Sequence, residues 1–152
     1  MIKKLGLSVL LLAAMGNLAW ISSARASFQG RLTMEIDGLR NTEGQVCVSI
    51  FANSQGFPSN SDRVVKKQCT KIADNSLKVT FDNLQAGSYA VALIHDQNKD
   101  QILNRNNLGM PIEGFGFSRN PEVRTGPPQF KDAAFLLAGP NTVIQIQLKY
   151  YL

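Results

Sequence analysis

Leu84-Gln85-Ala86-Gly87-Ser88-Tyr89-Ala90-Val91-Ala92-Leu93-Ile94-His95 is the stretch that decides the fold class. From Ser88 to His95, Tyr89, Val91 and Leu93 fall on one face of a strand and Ala90, Ala92 and Ile94 on the other. The spacing Leu84-x-x-Gly87-x-Tyr89 predicts a tyrosine corner, in which a tyrosine enters a strand after a turn and its hydroxyl bonds back to the backbone. A turn is expected at Asn83–Gly87.

Period-two alternation recurs on both sides of this segment. Leu32, Met34 and Ile36 share one face of a strand. Gln45 to Ala52 is rich in Val, Ile and Phe, with both faces partly apolar, as in a strand covered on both sides. Val64 to Ile72 is a more charged strand, suited to a sheet edge. Leu77, Val79 and Phe81 alternate again. Near the C-terminus, Ala133–Leu137 is a short strand, Gly139-Pro140-Asn141 a turn, and Thr142–Tyr150 a closing strand with Ile144, Ile146, Leu148 and Tyr150 on one face. Long runs with apolar residues at three-four spacing are missing. About seven short strands separated by turn signals predict an all-β protein, an antiparallel β-sandwich of immunoglobulin-like or transthyretin-like type. The rival all-β architecture is a small outer-membrane β-barrel. Strands mostly shorter than the ~10 residues a barrel wall needs argue against it.

Between Asp96 and Phe130 no strand pattern is visible. A loop this long in a compact domain is functional or disordered. Its apolar content, including Ile102, Leu103, Leu108, Met110 and Ile112, predicts an ordered loop folded onto the domain. Asp96-x-Asn98-x-Asp100 matches the first three ligand positions of an EF-hand-like calcium loop, in which alternate oxygen side chains converge on one hard cation. Ile102 stands where a backbone carbonyl would be offered, and Asn104 at the next side-chain position. Gln101 replaces the expected glycine and Asn107 the expected bidentate glutamate, with Glu113 as the substitute carboxylate. The resulting expectation is a weak calcium site in the 96–107 loop, with calcium as the one candidate cofactor. Its counterpart is an Asx-rich loop that bonds its own backbone. Phe115, flanked by Gly114 and Gly116, and Phe117, which follows, are expected to anchor the loop or to contact a ligand, with His95 orienting its start.

His95 is the sole histidine. A hydrolase or isomerase centred on His95, Asp96 and Glu113 is the enzymatic alternative. No G-x-S-x-G string, Cys–His pairing or zinc spacing supports it, so the expectation is a non-enzyme.

Gly87-x-Tyr89-Ala90-Val91-Ala92, His95-Asp96-x-Asn98-x-Asp100, Leu108-Gly109-x-Pro111-x-Glu113-Gly114-Phe115-Gly116-Phe117-Ser118 and Pro127-Pro128-x-Phe130 together make the chain resemble the bacterial domain-of-unknown-function 2141 family. The resemblance runs from about Leu32 to Tyr150. It implies an exported bacterial β-sandwich and brings no activity with it. The family's usual loop has Gly and Asp where this chain has Gln101 and Asn104.

The N-terminus points to export. Lys3 and Lys4 precede an apolar stretch from Leu5 to Ile21, and Ala24-Arg25-Ala26 has the small-x-small form of a cleavage site. Residues 1–26 are therefore expected to be a cleaved signal peptide, and 27–152 one β-sandwich domain in the periplasm or outside the cell. Loss of Lys3, Lys4 and Arg25 lowers the net charge from +5 to +2. No Lys/Arg stripe remains to attract nucleic acid. No stretch after residue 26 has the length of a membrane-spanning helix. In an oxidising compartment Cys47 and Cys69 are expected to pair as a disulfide. The function expected is a small exported binding or structural module, its ligand at the cell surface or in the periplasm.

Overall fold

The computed structural model describes residues 28–151; the expected signal segment lies outside them. Among the described residues there are eight strands: β1 (Gln29–Asp37), β2 (Gln45–Phe51), β3 (Lys66–Lys71), β4 (Leu77–Gln85), β5 (Gly87–Asp96), β6 (Gly114–Phe117), β7 (Phe135–Leu137) and β8 (Asn141–Gln147). One short helix, α1 (Phe130–Ala133), precedes β7. The strands form two sheets. The smaller has the order β4-β1-β8; the larger has β3-β2-β5-β6, with β7 also paired to β5. All pairs are antiparallel except β1 with β8, which run parallel. The fold is an all-β sandwich and not a closed barrel.

The alternation read from the sequence explains the layers. Leu32, Met34 and Ile36 of β1 meet Val46, Val48 and Ile50 of β2 and Val91 and Leu93 of β5 in one continuous core. Each fully buried Leu or Ile removed from water contributes about 1.5–3 kcal/mol, so this layer dominates the stability. On one side the sandwich is stitched. After β8 the chain leaves the smaller sheet, and Lys149 exchanges both backbone hydrogen bonds with Phe115 of β6. On the other side, β3 and β4 remain edges. Lys66, Lys67 and Lys71 give β3 the charge that discourages strand addition.

The crossing from β4 to β5 is the tyrosine corner: the Tyr89 hydroxyl donates to the Gln85 carbonyl at 2.8 Å. The turn expected at Asn83–Gly87 is shorter than its sequence suggests. β4 runs through Asn83 to Gln85 because Asn83 takes a left-handed conformation, φ 59°, within a bulge opposite β1. Asparagine tolerates that region better than most residues. Cys47 and Cys69 are directly opposed on β2 and β3, with Cα atoms 4.0 Å apart, and form the disulfide.

The segment after Asp96 is not strandless. β6 lies within it, and its Phe115 and Phe117 pack on the outer face of the larger sheet. The inward positions of β6 are Gly114 and Gly116, so the strand shows no apolar alternation. Glycine is needed there by close approach. A Cβ on Gly114 would lie 2.4 Å from the Tyr150 ring, and one on Gly116 2.9 Å from Ile146.

Candidate functional site

Successive residues on a strand point to opposite faces, and the end of β5 uses this to separate two polar groups. His95 turns inward and is fully buried. Its Nε2 lies 2.8 Å from the Glu43 carbonyl, which only accepts, so Nε2 carries the proton. Nδ1 then accepts from the Tyr150 hydroxyl at 2.7 Å. Burial pushes the Tyr150 phenol above its ordinary pKa, with Arg40 acting in the opposite direction. Both imidazole nitrogens are thus engaged, and His95 fastens the β1–β2 connection to the C-terminal segment.

Asp96, the next residue, faces outward and is also fully buried. Its Oδ1 accepts from the Asp100 amide (3.0 Å), and its Oδ2 accepts from the Gln101 amide (2.9 Å) and from Gln45 Nε2 (2.8 Å). Cys47 Sγ carries no hydrogen in the disulfide and merely touches Oδ2 at 3.7 Å. Glu113 spans the loop: Oε1 accepts from the Gln97 amide and Oε2 from the Asn104 amide, each at 3.0 Å. These buried carboxylates are satisfied by charge-assisted hydrogen bonds to N–H groups. His95, Asp96 and Glu113 therefore do not share a pocket; each holds backbone.

Asn98, Asp100 and Asn104 do come together, at the surface. Asp100 Oδ2 accepts from Asn98 Nδ2 and Asn104 Nδ2, both at 2.9 Å, and Oδ1 accepts from the Ile102 amide at 2.8 Å. Those three bonds, that from the Asn104 side chain foremost, hold the Asp100 carboxyl below its ordinary pKa. Asn98 Oδ1 accepts from the Asp100 amide at 3.2 Å, which fixes the orientation of its side chain. Amide N–H groups thus occupy the place where the oxygens converge. Gln101 sits at φ 64°, the left-handed position for which a glycine is expected. The Ile102 side chain points into solvent. Among the described residues no three His, Cys, Asp or Glu side chains form a metal-holding group.

Beyond this turn the chain makes a small hairpin. Asn104 pairs with Ile112, Arg105 with Pro111, and Asn106 with Met110. Leu108 at its tip is 84% exposed. The Leu103–Arg105–Pro111 face of the hairpin turns back over the larger sheet.

That outer sheet face carries the second apolar cluster, in which Phe51, Ala90, Ala92, Phe115, Phe117 and Ala133 are buried. Phe57, from the loop after β2, packs edge-on against Phe51 (centroids 5.3 Å) and Phe130 (5.9 Å). Buried Ser118 ties the same region together, accepting from the Val91 amide and donating to the Ala133 carbonyl. The cover is incomplete. A groove of about 600 Å³ runs over Ser49, Phe51 and Ala92, between Val64 and Leu103. A second lobe of about 360 Å³ adjoins it, walled by Pro111, Val123 and Pro127. Phe115, Phe117 and Arg105 line both lobes. Both volumes lie in the ~300–1,000 Å³ range of small-molecule sites.

Phe115 and Phe117 are therefore groove floor as well as loop anchors. Ser49, Val64, Lys67, Arg105 and Val123 escaped the sequence reading, although the apolar outer face of Gln45–Ala52 was a signal that something covers it. His95 and Glu113 do not line the groove, and Asp100 and Ile102 reach its margin.

A family model described as "Uncharacterized protein conserved in bacteria (DUF2141)" matches residues 34–145, and the chain belongs to that family. No curated protein and no solved structure matches it.

Proposed function

We propose that this DUF2141 domain is an exported binding module whose ligand lies in the groove on the outer face of the larger sheet. The groove is the observation that carries the reading. Two adjoining lobes lie over a floor of Phe51, Phe115 and Phe117, and Arg105 lines both. Concave, mostly apolar sites with a few placed polar groups are where small molecules bind. The Asp96–Asn107 loop serves as the groove's wall, its shape supported by its own hydrogen bonds. Non-enzymatic action is supported by the divergence of His95, Asp96 and Glu113. Export is supported by the Lys3–Ala26 pattern and by the Cys47–Cys69 disulfide, which suits an oxidising compartment.

The test uses N-phenyl-1-naphthylamine, a neutral probe that fluoresces in apolar sites, with protein recovered from the periplasm of cells expressing the full chain. The wild type should enhance its emission with saturable, one-site behaviour. Ser49 is half-buried and points into the groove, so Ser49→Trp should fill the larger lobe and weaken binding at least about tenfold. Unchanged binding in a folded Ser49→Trp protein contradicts the proposal.

A further inference from the structure

We infer that the groove selects a small amphiphilic anion, its apolar body on Phe51, Phe115 and Phe117 and its anionic head on Arg105. This rests on the groove being the binding site and adds the chemical class of its ligand.

The charges around the groove are unbalanced. Lys67 and Arg105 line the larger lobe and Arg105 and Arg124 the smaller, against one lining carboxylate, Asp100. That carboxylate is already taken up by Ile102, Asn98 and Asn104. Arg124 is paired with Glu122 at 2.8 Å. Arg105 has no acidic partner among the described residues; one of its terminal nitrogens donates to the Gly109 carbonyl at 2.8 Å. That bond holds the guanidinium at the junction of the lobes, and its other N–H groups are free to meet an oxyanion. Arginine presents a planar fork that fits a carboxylate bidentately. Lys67 stands opposite Ser49 on the edge strand and supplies a second positive charge at the far margin of the larger lobe.

The apolar part is equally specified. Phe115 and Phe117 have ring centroids 5.9 Å apart and continue under both lobes. An apolar chain or ring laid on them leaves water, while a head group at the junction stays beside a fixed cation. A neutral ligand forgoes the second interaction, and a cationic one is repelled. The walls on both sides of the groove suit a single free molecule rather than a membrane surface.

The experiment compares displacement of N-phenyl-1-naphthylamine by decanoate and by decyltrimethylammonium, both below their micelle concentrations. Decanoate should act at about tenfold lower concentration or less, the gap expected for a charge-assisted hydrogen bond. Arg105→Gln should weaken decanoate at least about tenfold, whereas Lys131→Gln, the same charge change on α1 away from the groove, should not. Equal displacement by the two amphiphiles overturns the anion selectivity and leaves the binding site standing. Failure of the probe to bind, with no heat from decanoate up to millimolar concentration, overturns both. Sedimentation with phosphatidylglycerol vesicles but no displacement by decanoate assigns the surface to a membrane and overturns the small-molecule ligand.

Discussion

The larger sheet buries an apolar layer on each of its faces, and the two layers are finished differently. Inside, Leu32, Met34, Ile36, Val46, Val48, Ile50 and Val91 are all at 0% exposure and fill the space between the sheets. Outside, Phe51 and Ala90 are as well buried, but Phe57, Val64, Leu103, Val123 and Phe130 are only partly so, and the groove runs between them. The inner layer is built by strands that the backbone ladder holds in place. The outer one is built by loops whose positions depend on Asp96, Glu113 and Asn106 accepting their amides. A protein that needs only stability gains by closing both layers. Under the proposed binding role, the closed layer carries the stability and the open one the recognition.

Truncation in each layer should separate the two roles. Leu32→Ala, which opens a cavity in the inner core, should lower unfolding free energy by about 3 kcal/mol in urea denaturation while leaving N-phenyl-1-naphthylamine affinity in the folded fraction within about twofold. Leu103→Ala, a half-buried wall residue, should cost about 1 kcal/mol and weaken the probe more than Leu32→Ala does. Equal effects of both variants on both readouts would dissolve the distinction.

A smaller effect follows from pH. The Asp100 carboxyl is held below its ordinary pKa by Asn104, Ile102 and Asn98, so the folded loop favours the ionised form. Its contribution is present above the ordinary carboxylate value and is lost as pH falls through the lowered one. The shift on Tyr150 and Tyr89 is in the other direction, because burial disfavours their phenolates. That contribution is present below the ordinary tyrosine value, about pH 10, and is lost as pH rises through the raised one. Melting temperature should therefore fall at both ends. The Glu35 carboxyl is held low as well, by Lys78 and Gln145, so Asp100→Asn should make the acid limb shallower without removing it and leave the alkaline one unaltered.

The inner layer was legible in the sequence because each of its strands alternates: Leu32-Met34-Ile36 and Tyr89-Val91-Leu93 read directly as one buried face. β6 was not, since its inward partners are Gly114 and Gly116, and a strand whose core positions are glycines carries no hydrophobic period. The loop chemistry was half legible. Asp96-x-Asn98-x-Asp100 offered both a cation loop and an Asx-rich loop bonding its own backbone, but did not show that Glu113 would reach across to the Gln97 and Asn104 amides. The groove was the least legible part. Ser49, Lys67, Arg105 and Val123 are far apart in the chain and come round one groove only because the hairpin after β5 and the segment after β6 are laid over the sheet face to which β2 and β3 belong.

The proposed ligand site is the outer face of the larger sheet and no other. Amide chemical-shift mapping during titration with N-phenyl-1-naphthylamine tests it most directly. Perturbations should concentrate at Ser49, Phe51, Ala92, Leu103, Arg105, Phe115 and Phe117, with Met34, Val79 and Ile144 of the smaller sheet unmoved. Perturbations centred on the smaller sheet, or none at saturating probe, would contradict it.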